Sequence, residues 1–339
     1  MRAVVPCLDR DARVWRDAVV AAEGATVRVL DDAPSPGLPR LDGVVTGAFT
    51  DSHVHLQLVD ARMLAGSTLG AVVDLGGSPD AVRALRDRYG VDPASLRGGS
   101  DAESTPHGVR IGFAGAFLTP PGGYPSDREW APDGSVREIA DADAAASAIA
   151  EMALSGASCI KVASNSTAGP VFSDEMLSAV VGIASSHGLP VVAHAEGPGE
   201  AMRAARLRAR MLAHAPFSER LTDDELRRMR GGVAWCSTLA IHEGEAYRIA
   251  VDNVRRFHAL GGDVRYGTDM GNGDAPVGLN PREVAALRDA GIDGPELLRA
   301  LAPGDPGAPA ARLLFHPGAT PATVDPLLAR PMTPEDLKV

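Results

Sequence analysis

The chain has 339 residues, of which 45% are hydrophobic and 23% charged, values typical of a globular protein. Its net charge of -11 argues against a nucleic-acid partner, because nucleic acids favour a concentrated basic surface. Three widely spaced cysteines form neither a disulfide framework nor a cysteine-rich zinc module, and they indicate a reducing compartment. Because no apolar run is long enough for a signal peptide or a membrane span, the sequence predicts a cytoplasmic protein with no membrane partner.

Residues 1–48 are predicted to form a small β element. Three runs rich in Val and Ala are its predicted strands: Arg2–Val5, Arg13–Ala21 and Thr26–Leu30. So few strands do not make an independently stable sheet, so this element should pack on the main body, together with the Pro-rich tail at 317–339.

Strand-like apolar runs alternate with helical patterns over residues 49–316, which favours a parallel sheet covered by helices. Eight runs are predicted strands: Gly47–His55, Leu69–Leu75, Val109–Phe117, Ala157–Val162, Leu189–His194, Met211–His214, Val233–Cys236 and Asp263–Thr268. Eight such strands close a barrel, so the predicted fold class is α/β, a (β/α)₈ TIM barrel over 49–316.

Helix start and stop signals separate these strands. The segments that carry them are Ser78–Gly90, Ser173–Gly188, the capping box Thr222–Glu225 and Asn280–Gly291. Ser78 is a predicted N-cap, Asn280-Pro281 starts a further helix, and Ser173–His187 has apolar residues at helical spacing. Gly90, Gly188 and Gly291 are the predicted stops.

His53 and His55 end the first predicted barrel strand. Side chains alternate along a strand, so both imidazoles point to the same side and can share one metal ion. Taken alone, a His-x-His pattern is more often a structural pair than a ligand set.

Lys161 lies within the apolar run Ser158–Ala163, although lysine is rarely buried unless it is paired. One explanation is a lysine that extends its amine to solvent from the strand end. The other is a metal ligand, which requires carbamylation by carbon dioxide. The resulting anionic carboxylate can bridge two cations.

Three further ionisable residues end apolar strands: His194, His214 and Asp269. Each of them, taken singly, is more often structural than catalytic. Together with His53, His55 and Lys161, however, they place six potential ligands at the C-terminal ends of predicted strands. These ends converge on the face where barrel enzymes place their active sites.

At these residues the sequence resembles the amidohydrolase superfamily, and within it the imidazolonepropionase- and prolidase-like hydrolases. The matching stretches are Phe49–His55, Gly156–Val162, Val192–Gly197, Ala213–Pro216 and Gly267–Gly271. The resemblance runs in order over nearly the whole chain. The ordered ligand set is specific for the superfamily and much less specific for any substrate.

The resemblance implies a pair of divalent metal ions. The implied ligands are His53, His55 and Asp269 for the more buried ion, His194 and His214 for the second, and carbamylated Lys161 for both. A hydroxide between the metals would be the nucleophile, with Asp269 as general base and then general acid. Zinc is the expected metal, although the same ligands also suit manganese, cobalt and nickel.

The sequence departs from the family pattern at its ends and near the third histidine. The family usually has a longer β-sandwich built from both chain ends, so here the flanking element is predicted to be reduced. Deaminases of the superfamily lack the bridging lysine and carry a glutamate shortly after the third histidine. Glu196 follows His194 by two positions, which keeps a mononuclear deaminase open but not favoured.

Loops after the strands supply the predicted substrate-binding residues Tyr124, His242 and Asn272. His242 should lie on the catalytic face, where it could bind substrate or stabilise an oxyanion. A solvated loop histidine is the equally weighted alternative. Tyr124 lies in a loop that could cover the substrate, and Asn272 lies in a tight turn that leaves room for it.

The sequence thus predicts a two-metal hydrolase that cleaves an amide-type C–N bond in a small acyl or cyclic amide. Hydrolysis of a lactone, carboxylic ester or phosphotriester on the same centre is the first alternative. A mononuclear deaminase is the second, and a non-catalytic binding protein is the third, disfavoured because all six ligand positions are filled. The partner is a small-molecule substrate, and the oligomeric state stays open, with a homo-oligomer among the alternatives.

Overall fold

The computed structural model of the protein describes residues 1–9, 14–91, 108–304, 306 and 311–338. The strands are β1 Arg2–Asp9, β2 Val14–Glu23, β3 Thr26–Leu30, β4 Gly43–Gly47, β5 Phe49–Val54, β6 Leu69–Asp74, β7 Gly90–Val91, β8 Val109–Phe113, β9 Phe117–Thr119, β10 Val136–Glu138, β11 Ile160–Asn165, β12 Val191–Glu196, β13 Met211–Leu212, β14 Ala234–Cys236, β15 Val264–Arg265, β16 Leu313–Pro317 and β17 Arg330–Pro331. The α-helices are α1 Pro79–Tyr89, α2 Ala142–Leu154, α3 Asp174–Ser186, α4 Glu200–Arg206, α5 Asp223–Met229, α6 Gly244–Ala259, α7 Pro281–Asp289 and α8 Gly294–Leu301. The fold is mixed α/β, as predicted.

Both ends of the chain build one six-stranded sheet, in the order β17-β16-β4-β1-β2-β3. Strands β1 and β2 pair antiparallel along their full length, from Arg2 opposite Ala21 to Asp9 opposite Val14. Alternating residues of β1 and β2, among them Val5 and Val20, are buried in a separate hydrophobic cluster. Phe315 of β16 belongs to the same cluster. Strand β16 pairs with β4, so the predicted boundary between residues 316 and 317 lies inside a strand.

Two further sheets are entirely parallel, which confirms the predicted alternation of strands and helices. The first has four strands in the order β5-β6-β8-β7, and the second has seven in the order β10-β9-β11-β12-β13-β14-β15. Strands buried on both faces read as continuous apolar runs, and β11 and β12 are buried along nearly their whole length. Helices cover these sheets, and their apolar faces join the main hydrophobic core.

Backbone contacts connect the two parallel sheets at both edges. The Ser52 N–H donates to the Tyr266 carbonyl at 3.0 Å, and Val54 forms an isolated parallel bridge with Met270. At the other edge the Ser158 N–H donates to the Phe113 carbonyl at 2.8 Å. The first strand of one sheet is therefore adjacent to the last strand of the other.

Two predicted strands are each divided in the structure. The predicted strand Val109–Phe117 becomes β8 and β9, which lie in different sheets, because Gly115 has a φ of 75° that extended backbone does not allow. The predicted strand Gly47–His55 becomes β4 and β5. Between them the Ala48 N–H donates to Arg312 O, and the chain passes from the terminal sheet to the first parallel sheet.

The predicted helix starts are present. Thr222 and Glu225 form the capping box of α5, and the side chains of Ser173 and Asn280 accept backbone N–H bonds at the starts of α3 and α7. Ser78 precedes α1 with cap geometry, but its side chain makes no cap hydrogen bond. Within the described residues, no helix has the length and apolar character needed to cross a bilayer.

Candidate metal centre

Five of the six predicted ligands lie in the second half of a parallel strand or just beyond its C-terminal end, and all six are at most 8% exposed. Lys161 is instead the second residue of the six-residue strand β11. The residues are His53 in β5, His55 directly after β5, Lys161 in β11, His194 in β12, His214 after β13 and Asp269 after β15. Because parallel strands bring their C-terminal ends to one edge, residues far apart in sequence meet there.

Three of the six form a close cluster. One ligand atom from each of His53, His55 and Asp269 lies within 4.8 Å of the other two. The Oδ1 atom of Asp269 is 3.1 Å from the Nε2 atom of His53 and 3.1 Å from the Nε2 atom of His55. The structure therefore brings together the three residues that were predicted to share one ion.

The hydrogen bonds of the two histidines determine which ring nitrogens carry protons. Nδ1 of His53 donates to the Ala213 carbonyl at 2.8 Å, and Nδ1 of His55 donates to the Gly76 carbonyl at 2.9 Å. In the neutral rings both Nε2 atoms therefore present lone pairs toward Asp269.

Asp269 Oδ1 is buried and has no hydrogen-bond partner within the described residues. A carboxylate oxygen and two ring nitrogens thus converge in a buried place. This donor set fits a divalent cation, since a buried acceptor without a partner is otherwise costly.

The pKa values of His53 and Asp269 agree with this protonation pattern. Burial lowers the pKa of His55, but the bond to Asp269 and its charge outweigh burial and raise that pKa above its ordinary value. Burial, and next the charge of Lys161, lower the pKa of His53 well below its usual value. Burial would raise the pKa of Asp269, but the neighbouring His53 and His55 outweigh it and hold that pKa well below its usual range. The carboxylate is therefore charged at neutral pH while the His53 imidazole is neutral.

Lys161 is 1% exposed, and its Nζ atom lies 3.4 Å from Nε2 of His53. Burial lowers the pKa of its amine to about 8, so the neutral fraction near neutral pH is much larger than that of an exposed lysine. Within the described residues, this amine donates no hydrogen bond to a carboxylate and forms no salt bridge. The alternative of an amine that extends to solvent is thus wrong for Lys161.

His194 and His214 lie beside this cluster. The ring centroid of His214 is 4.8 Å from that of His53 and 4.9 Å from that of His194. Nδ1 of His214 is bonded to the Thr238 hydroxyl at 2.9 Å, and Nε2 of His194 is bonded to Glu196 at 3.0 Å. These contacts leave Nε2 of His214 and Nδ1 of His194 as the ring nitrogens available to a ligand.

Asp269 is held in an unusual backbone conformation, with a φ of 56°. Its second oxygen, Oδ2, accepts a hydrogen bond of 2.8 Å from the Asn272 side-chain amide. Asn272 lines the cavity, but its amide nitrogen is already engaged with Asp269. The predicted contact between Asn272 and substrate therefore has the amide oxygen and the second N–H left to it.

The sequence analysis missed two buried carboxylates beside the ligands. Asp51 accepts hydrogen bonds from the His53 N–H at 3.1 Å and from Thr268. Asp74 accepts from the Gly76 N–H at 3.0 Å, and it thereby holds the residue whose carbonyl orients His55. The signal for Asp51 was the period of two along its strand, which places it on the same side as both histidines.

The ligands open into a cavity of about 460 Å³. It is lined by the six predicted ligands and by Leu58, Phe117, Tyr124, Trp130, Glu196, Phe217, Ile241, His242, Gly271, Asn272 and Gly273. All three predicted substrate-binding residues are therefore at this cavity. Its volume suits a small molecule.

His242 and Tyr124 are more buried than loop residues usually are. The His242 ring lies 4.1 Å from the ring of Phe217, its Nε2 atom is buried without a hydrogen-bond partner, and burial lowers its pKa to about 4. Tyr124 packs against His194 with ring centroids 5.2 Å apart, and burial raises its pKa to about 12. Both residues are thus neutral at physiological pH, and the alternative of a solvated His242 does not hold.

No protein-family model matches the chain, and neither does any curated protein. Solved structures do match over nearly the whole length. A putative prolidase from Bifidobacterium longum is 19% identical, with 98% of this chain and 91% of that chain covered and a TM-score of 0.72. The ochratoxinase of A. niger is 15% identical, with 95% and 90% covered and a TM-score of 0.69. A Xaa-Pro dipeptidase is 16% identical, with 95% of both chains covered and a TM-score of 0.66.

The chain has the fold of these hydrolases. At identities this low, the likeness shows the fold alone, and the chemistry depends on the site residues of this chain.

Proposed function

We propose that the protein is a binuclear metal-dependent amidohydrolase that cleaves the C–N bond of a small acyl or cyclic amide. The observation that carries the proposal is the convergence of three potential ligand atoms, Nε2 of His53, Nε2 of His55 and Oδ1 of Asp269, in a buried site. Buried acceptors without a donor are rare in proteins unless a cation satisfies them.

The proposed architecture is a closed (β/α)₈ barrel with a small β-sandwich-like element from both chain ends. Its eight strands are β5, β6, β8 continued by β9, and β11 to β15. Support comes from the backbone contacts between Ser52 and Tyr266 and between Ser158 and Phe113, which join the two parallel sheets at both edges. The flanking element comprises β1 to β4 with β16 and β17.

The proposed ligand sets follow from the free nitrogen atoms. One ion would be held by His53, His55 and Asp269. The other would be held by His194 and His214, and a carbamate on Lys161 would lie between the two. Two divalent ions, expected to be zinc, would polarise the scissile carbonyl and lower the pKa of a water molecule when bound there.

Side chains of the protein would transfer the proton and orient the substrate. Asp269 is ionised and fixed by Asn272, so it can accept a proton from the attacking water and later donate it to the leaving nitrogen. His242 presents a neutral ring whose buried Nε2 can pair with the substrate carbonyl or amide. The surrounding aromatic side chains keep bulk water from the reacting bond.

An amide substrate is favoured over a lactone, ester or phosphotriester by the proteins with the same fold. Two of them are described as a putative prolidase and a Xaa-Pro dipeptidase, and enzymes of both kinds hydrolyse a C–N bond. A mononuclear deaminase is disfavoured because it has no use for a buried lysine, whereas Lys161 lies 3.4 Å from His53. Activity profiling across matched amides, esters and phosphotriesters tests the bond type.

The carbamate can be tested directly because the chain has two lysines, Lys161 and Lys338. Protein incubated with ¹³C-bicarbonate should show one carbamate resonance by NMR. Lys338→Arg should keep the resonance, since Lys338 is exposed and paired with Glu335, whereas Lys161→Arg should lose it. A resonance that survives in Lys161→Arg contradicts the bridge.

Elemental analysis of protein purified without added metal or chelator tests the metal pair. About two equivalents per chain supports the proposed centre, in line with the six ligands it is built from. About one equivalent that does not rise on addition of metal and bicarbonate favours the mononuclear deaminase. No metal and no uptake overturns the proposal.

A further inference from the structure

Aromatic rings form a continuous wall between the two proposed metal-binding groups. The ring of His55 lies 5.8 Å from Phe117, which lies 6.2 Å from Trp130. Trp130 lies 6.1 Å from Tyr124, whose ring is 5.2 Å from His194. We call Phe117, Trp130 and Tyr124 the aromatic wall. It connects a ligand of one group to a ligand of the other.

A second aromatic pair, Phe217 and His242, lines the same cavity with ring centroids 4.1 Å apart. Phe217 also contacts the ring of His214 at 6.2 Å. Leu58 and Ile241 add aliphatic surface. Flat, apolar surfaces on this scale select a planar aromatic group, because offset and edge-to-face ring pairs are more favourable than contacts with an aliphatic chain.

The charges of the cavity point to a substrate without a carboxylate. Among the described residues, no arginine lines the cavity, and its one lysine, Lys161, belongs to the proposed metal centre. Outside the ligands, the lining includes one acid, Glu196, which is bonded to His194 at 3.0 Å. Arg128 is not a lining residue, although its guanidinium lies 5.7 Å from the centroid of the lining Tyr124 ring, and it pairs with Asp127.

We infer that the substrate is a neutral aromatic amide, with an aryl group seated on the aromatic wall and no carboxylate beside the scissile bond. This inference rests on the proposed function for the existence of a scissile amide. The preference for an aryl group depends on the shape and charge of the cavity, however, so it can be measured by binding without turnover. A carboxylate seated away from the proposed metal ions would find Glu196 and, among the described lining residues, no cationic side chain with which to pair.

Ketones test the inference because they contain no bond for the enzyme to hydrolyse. Butyrophenone, 2-pentanone and 4-oxo-4-phenylbutanoate share one skeleton. The second replaces the phenyl group of the first by methyl, and the third replaces its terminal methyl by a carboxylate. By calorimetry on the metal-loaded protein, butyrophenone should bind at least about 10-fold more tightly than either of the others.

Trp130 is 42% exposed and can be replaced with little effect on the core. Trp130→Ala should reduce the preference for butyrophenone over 2-pentanone by about fivefold, whereas Trp130→Phe should keep most of it. Leu328→Ala, at a side chain that is 74% exposed on the far tail, should leave the preference unchanged.

The outcomes separate the inference from the proposed function. If 4-oxo-4-phenylbutanoate binds as tightly as butyrophenone, or if Trp130→Ala keeps the full aromatic preference, the inference is wrong even when amides are hydrolysed. If the aromatic preference is present but N-benzoylglycinamide and other neutral aryl amides are not hydrolysed, the proposed function fails while the cavity's selectivity stands.

Discussion

The Thr268 hydroxyl donates a hydrogen bond of 2.6 Å to Oδ2 of Asp51, across the edge where the two parallel sheets meet. The Thr268 N–H also donates to Oδ1 of Asp51 at 3.1 Å, and Oδ1 accepts the His53 N–H as well. One buried carboxylate therefore joins the strand of both N-terminal histidines to the residue before Asp269. This contact sets the distance between ligands that are more than 200 positions apart in sequence.

Thr268→Val should weaken metal binding, because it removes the hydroxyl with little change in volume and leaves Asp51 short of one donor. We expect metal affinity to fall by about 10- to 100-fold and the free energy of unfolding by about 1 to 3 kcal/mol. A competition titration with a chromogenic chelator measures the affinity, and urea unfolding measures the stability.

Thr46→Val is the matched control for this prediction. The Thr46 hydroxyl is also buried, and it is bonded to Nε2 of His316 at 3.0 Å in the terminal sheet. This variant should lose comparable stability yet bind metal as the parent does. Equal metal affinities in Thr268→Val and the parent would show that Asp51 has no part in placing the ligands.

Asp269→Asn should remove turnover while substrate still binds, because the amide cannot take a proton from the attacking water. A loss of about 10²- to 10⁴-fold in kcat is expected from removal of the general base alone. Since Asp269 is also a proposed ligand, metal content must be measured on the same sample. Unchanged kcat in a fully loaded Asp269→Asn protein would exclude this residue from the mechanism.

Lys161→Ala should abolish nearly all activity, and short carboxylates such as formate or acetate should restore part of it by occupying the place of the carbamate. In the parent protein, carbamylation requires the neutral amine, and burial lowers the pKa of that amine to about 8. At a fixed concentration of dissolved carbon dioxide, reactivation of chelator-treated protein by metal should therefore become faster as pH rises from 7 to 9. A rate independent of pH over this range contradicts the carbamate proposal.

His242→Phe should keep the stacking on Phe217 but lose the ring nitrogen that has no protein partner. We expect kcat/KM to fall by about 10- to 100-fold with little change in stability, as for the loss of one hydrogen-bond donor at a reaction centre. His242→Asn, which restores a polar group, should recover part of the loss. A drop in stability without a change in kcat/KM would assign His242 to packing.

The ligand positions could be predicted because their signal is local. His53 and His55 follow the period of a strand, and Lys161 interrupts an apolar run where its charge has no local explanation. The alternation of strands and helices likewise gave the parallel sheets. Each of these inferences needs only residues that are neighbours in sequence.

Contacts between distant segments could not be predicted in the same way. The aromatic wall depends on the path of the loop that carries Tyr124 and Trp130, and the pairing of Asp51 with Thr268 depends on how the sheets meet. The division of Val109–Phe117 into two strands depends on Gly115 adopting a positive φ. Such features are set by tertiary packing, which short-range patterns do not encode.

The buried Glu283 side chain should make the free energy of unfolding depend on pH. Its side chain is fully buried in the first turn of α7, where it accepts the backbone N–H groups of Leu239 at 3.0 Å and Ala240 at 2.7 Å. These bonds hold the turn that leads to His242. Burial nevertheless dominates, and it raises the pKa of Glu283 to about 7 from the ordinary 4.5.

A pKa that is higher in the folded than in the unfolded state means that the folded protein binds this proton more tightly. The contribution of Glu283 to the free energy of unfolding is therefore fully present below pH 4.5 and is lost as pH rises through 7. The slope can reach about 1.4 kcal/mol per pH unit. Glu283→Gln should flatten the pH dependence of stability in urea unfolding between pH 5 and 7, because the amide does not titrate. If parent and variant show the same slope, the Glu283 carboxyl is ionised in the folded state and the hydrogen bonds from Leu239 and Ala240 outweigh its burial.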